Sequence, residues 1–220
     1  MTTTNAPVQK LDYARPDVYP RLKQLTGRLA IVFAISAGLS VITVFLIAFG
    51  MVSPPGELEA VFGLLSNANG LVGIVLIVGF MMWCFRAGKS AEVLTRTKLN
   101  HSPSSAVWWW FVPVANLFKP FAALREIAQP ADADLSAFEK AKRLVGPVQG
   151  LFVGYVLLAI AGVVAMFNLL LSLPMDQLDQ VDHAVLPNLL LIGANLSWAG
   201  CCVMLILFTR QTTDAHELLT

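Results

Sequence analysis

The chain has 220 residues, of which 56% are hydrophobic and only 13% are charged. A soluble domain carries about 25% charged residues, so this composition argues against an ordinary soluble domain and indicates an integral membrane protein. The net charge of +1 gives no reason to expect a nucleic-acid partner.

The N-terminal segment Met1–Pro20 combines a threonine cluster with prolines and predicts a disordered or extended tail. About 28 mixed polar residues precede the first apolar run, and that run is too long for the apolar region of a secretory signal. We therefore do not interpret the N-terminus as a signal peptide.

Four apolar runs predict transmembrane helices, at about residues 29–52, 67–86, 145–173 and 184–208. The first run ends at Ser53-Pro54-Pro55-Gly56, a strong helix stop, and the second is short unless Leu58–Leu65 extends it. At about 1.5 Å rise per residue, runs of this length cross a hydrocarbon core of about 30 Å. The expected fold is all-α and polytopic: one four-span membrane domain over residues 21–210 and a C-terminal tail over 211–220.

The distribution of charge predicts the orientation. The connections after the first and third runs contain acidic residues and no Lys or Arg, namely Glu57, Glu59, Asp176, Asp179 and Asp182. With four spans, all 15 basic residues fall on the opposite side. The positive-inside rule makes that side cytoplasmic, so we expect both termini inside.

Residues 105–128, which we call the insert, contain the stretch AVWWWFVPVANLFKP. Its uninterrupted apolar part, Ala106–Ala115, would reach about 15 Å as a helix, half of the hydrocarbon core. A fifth span would also move Lys140, Lys142 and Arg143 outside. The insert is therefore expected not to span; it either lies in the cytoplasmic interface or makes a shallow re-entrant dip.

The tryptophans and prolines of the insert suggest how its backbone is arranged. Indole rings favour the head-group level, so Trp108–Trp110 are typical of an aromatic belt. Pro113 and Pro120 lack an N–H and free carbonyls that need protein or water partners at membrane depth. Alternatively, Pro113 opens a helix running to about Gln129, and the Asn116 amide satisfies local backbone.

The candidate ligand- or lipid-binding residues lie on the insert and at the end of the second run. They are Arg86, Trp109, Trp110, Pro113, Asn116, Lys119, Pro120 and Arg125. Together with Lys89, the cations among them would form a basic collar around a Trp-lined cytoplasmic pocket for anionic lipid head groups. The alternative is that they are ordinary positive-inside residues.

Several short motifs carry a resemblance to a known family: Trp83-Cys84-Phe85-Arg86-Ala87, Ser102-Pro103, Ala106-Val107, Trp109-Trp110-Phe111-Val112-Pro113, Asn116-Leu117, Pro120 and Leu124-Arg125-Glu126. Over roughly Leu22–Arg210 the chain resembles the bacterial membrane family DUF4328 (domain of unknown function). One departure is Ser90, where Asn is expected. The resemblance implies a multi-pass protein of the bacterial plasma (inner) membrane and implies no activity.

Polar and small residues inside the runs indicate helix packing. Ser36, Ser40 and Thr43 lie on one helical face and favour interhelical hydrogen bonds over a polar pathway. Gly150 and Gly154 form a GxxxG pair, which serves either an intramolecular seam or a homo-oligomer face. The three cysteines are interpreted as packing residues.

No motif predicts an enzyme. The sequence contains no HExxH, P-loop or dinucleotide glycine pattern, and we expect no catalytic residue, cofactor or metal site. The acidic segment that ends at His183 is interpreted as a solvated loop. An intramembrane enzyme would require a pocket that brings His101 or Glu126 near a nucleophile.

The sequence suggests two functional hypotheses. The leading hypothesis is a non-enzymatic membrane module that binds membrane lipid, specifically anionic lipid, or a membrane or cytoplasmic protein partner at its Trp/Arg/Lys surface. The alternative is a channel or facilitator for a small or amphiphilic solute gated at Pro113–Asn116. The channel would need a continuous polar or water-filled path beside Asn116, Ser40 and Asn168.

Overall fold

A computed structural model describes residues 18–50, 59–95, 99–112, 114–128, 136–172 and 185–218. Within these ranges every regular element is helical. The α-helices are α1 (Val18–Gly50), α2 (Glu59–Thr95), α3 (Pro103–Trp108), α4 (Lys119–Ala128), α5 (Ser136–Ser172) and α6 (Val185–Glu217). Two 3-10 turns, Trp109–Phe111 and Ala115–Leu117, lie between α3 and α4. The all-α prediction is confirmed.

Four of the helices are long and apolar enough to cross a membrane. The candidate spans are Arg21–Phe49, Gly63–Val93, Phe138–Ser172 and Val185–Glu217. The described part of each predicted run therefore lies on a long helix that continues beyond the run into polar sequence. The extension is expected physically, because an α-helix satisfies its own backbone hydrogen bonds in lipid and in water alike.

The ends of the helices differ from the predicted tails. α1 begins at Val18, inside the segment predicted as a tail, and α6 continues to Glu217, where a C-terminal tail was predicted from residue 211. The extra turns of α6 are helical because they are packed: Thr212, Thr213 and His216 are buried. Residues 1–17 and the acidic connections at 51–58 and 173–184 lie outside the described ranges.

The helices pack as neighbours in the order α2, α1, α6, α5. α3 lies against α2, where a Cβ added at Gly88 would stand 3.2 Å from Cβ of Pro103. α4 contacts both α2 and α5. The insert therefore connects the two outer helices of the row at one end of the bundle.

The apolar core is concentrated at the end where the insert packs. Its largest fully buried side chains come from all four long helices and from α4, namely Leu22, Phe33, Trp83, Phe121, Phe138 and Phe208. Towards the opposite end, large apolar side chains such as Leu71 of α2 and Phe167 of α5 are exposed. These faces are suited to lipid rather than water.

Candidate functional site at the insert

The backbone of the insert is irregular between α3 and α4. Val112 is extended (φ −91°, ψ 112°), as expected for a residue that precedes proline. Val114 has a positive φ of 64°, and Phe118 (φ −129°) separates the second 3-10 turn from α4. The alternative of one helix running from Pro113 to Gln129 is therefore wrong, because α4 begins only at Lys119.

Val114 is the most strained residue of this segment, because a β-branched side chain rarely adopts a positive φ. Such a conformation costs about 1–3 kcal/mol and persists only where surrounding contacts fix it. Local hydrogen bonds do so here: the N–H of Asn116 donates to the carbonyl of Val112 (2.9 Å), and that of Leu117 donates to the carbonyl of Val114 (3.2 Å). Pro113 itself lies outside the described residues.

Trp110 anchors the insert to the bundle. Its ring centroid lies 5.7 Å from Phe80 of α2, 5.6 Å from Phe121 of α4 and 5.6 Å from Phe152 of α5, each in an edge-to-face arrangement. These geometries are favourable for aromatic pairs. Among the three adjacent tryptophans, Trp110 therefore has a packing role, whereas Trp108 is 68% exposed.

Two polar contacts hold α4 in place, and neither was predicted from the sequence. On α5, Gln149 donates from Nε2 to the carbonyl of Leu117 (2.9 Å) and accepts at Oε1 from Arg125 (3.0 Å). On the other side, Nδ1 of His101 lies 2.7 Å from Oε1 of Glu126, and the His101 N–H donates to Oε2 (3.0 Å). The only available signal for Gln149 was an isolated amide inside an apolar run.

The predicted site residues on α4 and the preceding turn have different surroundings. Pro120 is buried in the first turn of α4, where a missing N–H is tolerated. Lys119 is exposed, and its Nζ lies 5.7 Å from the ring centroid of half-buried Trp109. Arg125 is also exposed, and Asn116 is half-buried.

Arg86 lies on α2 and not on the insert. It lies about two turns from Gly79, which shares its helical face. A Cβ added at Gly79 would stand 2.8 Å from Cδ2 of Leu29, so this face of α2 meets α1. Gly88, about 200° further round α2, is the residue that faces α3. The part of Arg86 in the predicted collar stays a prediction, and the cations of the collar that lie on the insert are Lys119 and Arg125.

The outer surface of the insert, as we call it, combines exposed apolar side chains with these two cations. The apolar members are Trp108, Phe111, Val112, Val114 and Phe118. Val114, the strained residue, is the most exposed of them at 73%. Exposed aromatic and aliphatic groups next to Lys and Arg are a combination that suits the boundary between acyl chains and lipid head groups.

The contacts of the insert give no support to an enzyme within the described part of the chain. His101 pairs with Glu126, while Ser102 hydrogen-bonds with Ser104 and Ser105. The same residues contain no group of three or more His, Cys, Asp or Glu suited to a metal ion. The absence of an activity and of a metal site stays a prediction.

The polar residues considered for a channel have different surroundings. Ser36 accepts a hydrogen bond from the Trp198 indole N–H (3.0 Å), an interhelical contact, and Ser40 is completely buried. Asn168 is exposed on α5 and donates to the carbonyl of Val164 in its own helix (2.9 Å). The channel hypothesis therefore gains no observation in its favour.

The GxxxG pair divides between two environments. A Cβ at Gly154 would lie 3.0 Å from Oγ of Ser197 on α6, whereas a Cβ at Gly150 would meet nothing within 4 Å. Gly154 therefore belongs to the seam between α5 and α6, and a homo-oligomer face through Gly150 and Gly154 stays a prediction. Cys84, Cys201 and Cys202 are buried free thiols, in agreement with a packing role.

Four long apolar helices, with an irregular insert packed at one end, define a helical membrane protein of the polytopic class. A sequence model of the family described as "Domain of unknown function (DUF4328)" matches residues 57–214. The chain belongs to this family, which confirms the resemblance, and the match includes the whole insert. No curated protein and no solved structure matches the chain.

Proposed function

We propose that the chain is a non-enzymatic module of the bacterial plasma (inner) membrane that binds anionic lipid head groups at its cytoplasmic face. Lys119 and Arg125 supply the charge, and Trp109 lies beside Lys119. The observation that carries the proposal is the outer surface of the insert, where exposed apolar side chains adjoin two exposed cations.

The charge pattern supports the orientation in this proposal. With four spans, the basic residues of the chain lie on the same side as the insert, and the positive-inside rule assigns that side to the cytoplasm. Both termini are then cytoplasmic. The insert lies in the interfacial region of the inner leaflet, with its aromatic rings at the level of the head groups.

Lipid is a better match than a protein partner for physical reasons. The insert contacts α2 and α5, and both helices expose large apolar side chains within candidate membrane spans. Anionic head groups attract Lys and Arg near the membrane surface by about 1 kcal/mol per residue. Binding of a protein instead is an outcome that the experiment below distinguishes.

The test measures the affinity of purified protein for phosphatidylglycerol by native mass spectrometry, in zwitterionic detergent at low salt. Replacing Lys119 and Arg125 together by Gln is expected to weaken binding about thirtyfold, because two contributions of about 1 kcal/mol are removed. Raising the salt concentration should weaken wild-type binding as well, since exposed charges are screened.

The matched control replaces Lys140 and Lys142 by Gln, which removes the same charge from exposed positions on α5. Binding should then change by less than about threefold, in line with a general rather than local contribution. Equal losses in the two variants would overturn the proposal. So would a wild-type protein that ignores phosphatidylglycerol and instead co-purifies with one protein in fixed stoichiometry.

A further inference from the structure

Beyond the insert, helical spacing and side-chain exposure indicate a lateral groove between α2 and α5, the two outer helices of the row. On α2, Gly88 and Phe80 face the insert. Away from the insert, a stripe at helical spacing continues from Phe80 through Ile77 to Gly73. Phe80 is covered by Trp110, whereas Ile77 is 50% exposed. A Cβ added at Gly73 would meet nothing within 4 Å.

α5 carries the matching stripe. Gln149 and Phe152 contact the insert through Leu117 and Trp110. Continuing at the same helical spacing, the stripe reaches Val156 and Ala159, which are half-buried, and then Val163, which is 65% exposed. The insert therefore covers the lower part of both stripes and leaves the upper part uncovered.

The groove, defined as the space between these two stripes, has an aromatic floor and a charged mouth. Trp110 and Phe152 form the floor and are both half-buried, so part of each ring remains accessible. The exposed cations Lys119 and Arg125 lie on the insert just below. Its walls are apolar, and it opens sideways between two candidate spans, where bilayer lipid is the neighbouring phase.

We propose that this groove holds one acyl chain of the anionic lipid whose head group Lys119 and Arg125 bind; the inference rests on the proposed function. The glycerol backbone lies at the outer surface of the insert, and the chain runs over Trp110 along Gly73 and Ala159. Charge complementarity at the mouth identifies an anionic lipid, and continuity with the exposed faces of the spans provides its entry.

The experiment fills the groove without touching its mouth. Gly73→Leu places a side chain in space that is empty, so the bundle should fold normally. Ala159→Leu adds bulk at a half-buried position of the opposite stripe. Gly38→Leu is the matched control, since Gly38 is an exposed glycine of α1 whose added Cβ also meets nothing within 4 Å.

Affinity is measured by native mass spectrometry for two phosphatidylglycerols with the same head group, one with C18 chains and one with C6 chains. Gly73→Leu is expected to weaken binding of the long-chain lipid about tenfold, equivalent to losing burial of about two methylene groups. Binding of the short-chain lipid, and all binding by Gly38→Leu, should stay unchanged.

The outcomes separate the groove from the head-group site. Unchanged long-chain affinity in both Gly73→Leu and Ala159→Leu overturns the groove and leaves the head-group site intact. Equal loss of long-chain and short-chain lipid also overturns it, because the head-group site has then been altered. Failure of the wild-type protein to bind either lipid removes the proposed function together with the groove.

Discussion

The two ends of the bundle are built differently. At the insert end, aromatic side chains from α2, α4 and α5 surround Trp110, and all four long helices contribute to the buried core. At the far end, the described parts of α2 and α5 expose large aliphatic residues such as Leu71 and Leu171. The comparison indicates that the insert packs between α2 and α5, the two outer helices of the row, and fills the space between them at one end of the bundle.

The two ends also differ in their side-chain hydrogen bonds. At the insert end, the Trp83 indole N–H donates to Oγ1 of Thr26 (3.0 Å), which lies 2.8 Å from Oγ1 of Thr213. This buried node joins α2, α1 and α6. At the far end, Thr43 and Asn168 bond to carbonyls of their own helices, so their hydrogen bonds connect no two helices.

The strongest test of this comparison is Trp110→Ala. Removing the ring leaves a cavity among three aromatic side chains and is expected to lower the free energy of unfolding by about 3–5 kcal/mol. Denaturant titration in detergent measures it. The control is Trp108→Ala, at a 68% exposed position, which should change stability by less than about 1 kcal/mol. Similar losses in the two variants would contradict an anchoring role for Trp110.

A smaller effect is expected when the buried node is broken. Thr26→Val keeps the size of the side chain but leaves the Trp83 N–H unpaired in the core, which costs about 1–3 kcal/mol. Thr43→Val, the same substitution at the far end, removes a bond within one helix and should cost less than about 0.5 kcal/mol. A larger loss in Thr43→Val than in Thr26→Val would reverse the comparison of the two ends.

The sequence predicted the long helices well because apolar length is a local property. The four runs and the inability of ten apolar residues to span were sufficient to predict four long helices and a separate insert. The helix ends were predicted less well. Nothing local in Thr212 and His216 indicates that they are buried, since that depends on where other helices lie.

The candidate site was predicted only in part, for a related reason. Trp108, Trp109 and Trp110 are three adjacent residues of the same type. Only the packing of α2, α4 and α5 makes Trp110 an anchor and leaves Trp108 exposed. Arg86 was grouped with the insert by its side of the membrane. Its direction around α2 could not be predicted from the sequence, because that direction depends on which face of α2 meets α1.

The smallest effect is expected for a change at the irregular backbone of the insert. Gln149→Leu removes the amide that binds the Leu117 carbonyl and Arg125, and it should cost about 1 kcal/mol. Hydrogen exchange of the Phe118 amide, which bonds to Ala115, should then accelerate about fivefold. Asn168→Leu should leave this exchange unchanged, because that amide bonds only within α5. An unchanged rate in Gln149→Leu would mean that Trp110 and the local turns hold this backbone without help from α5.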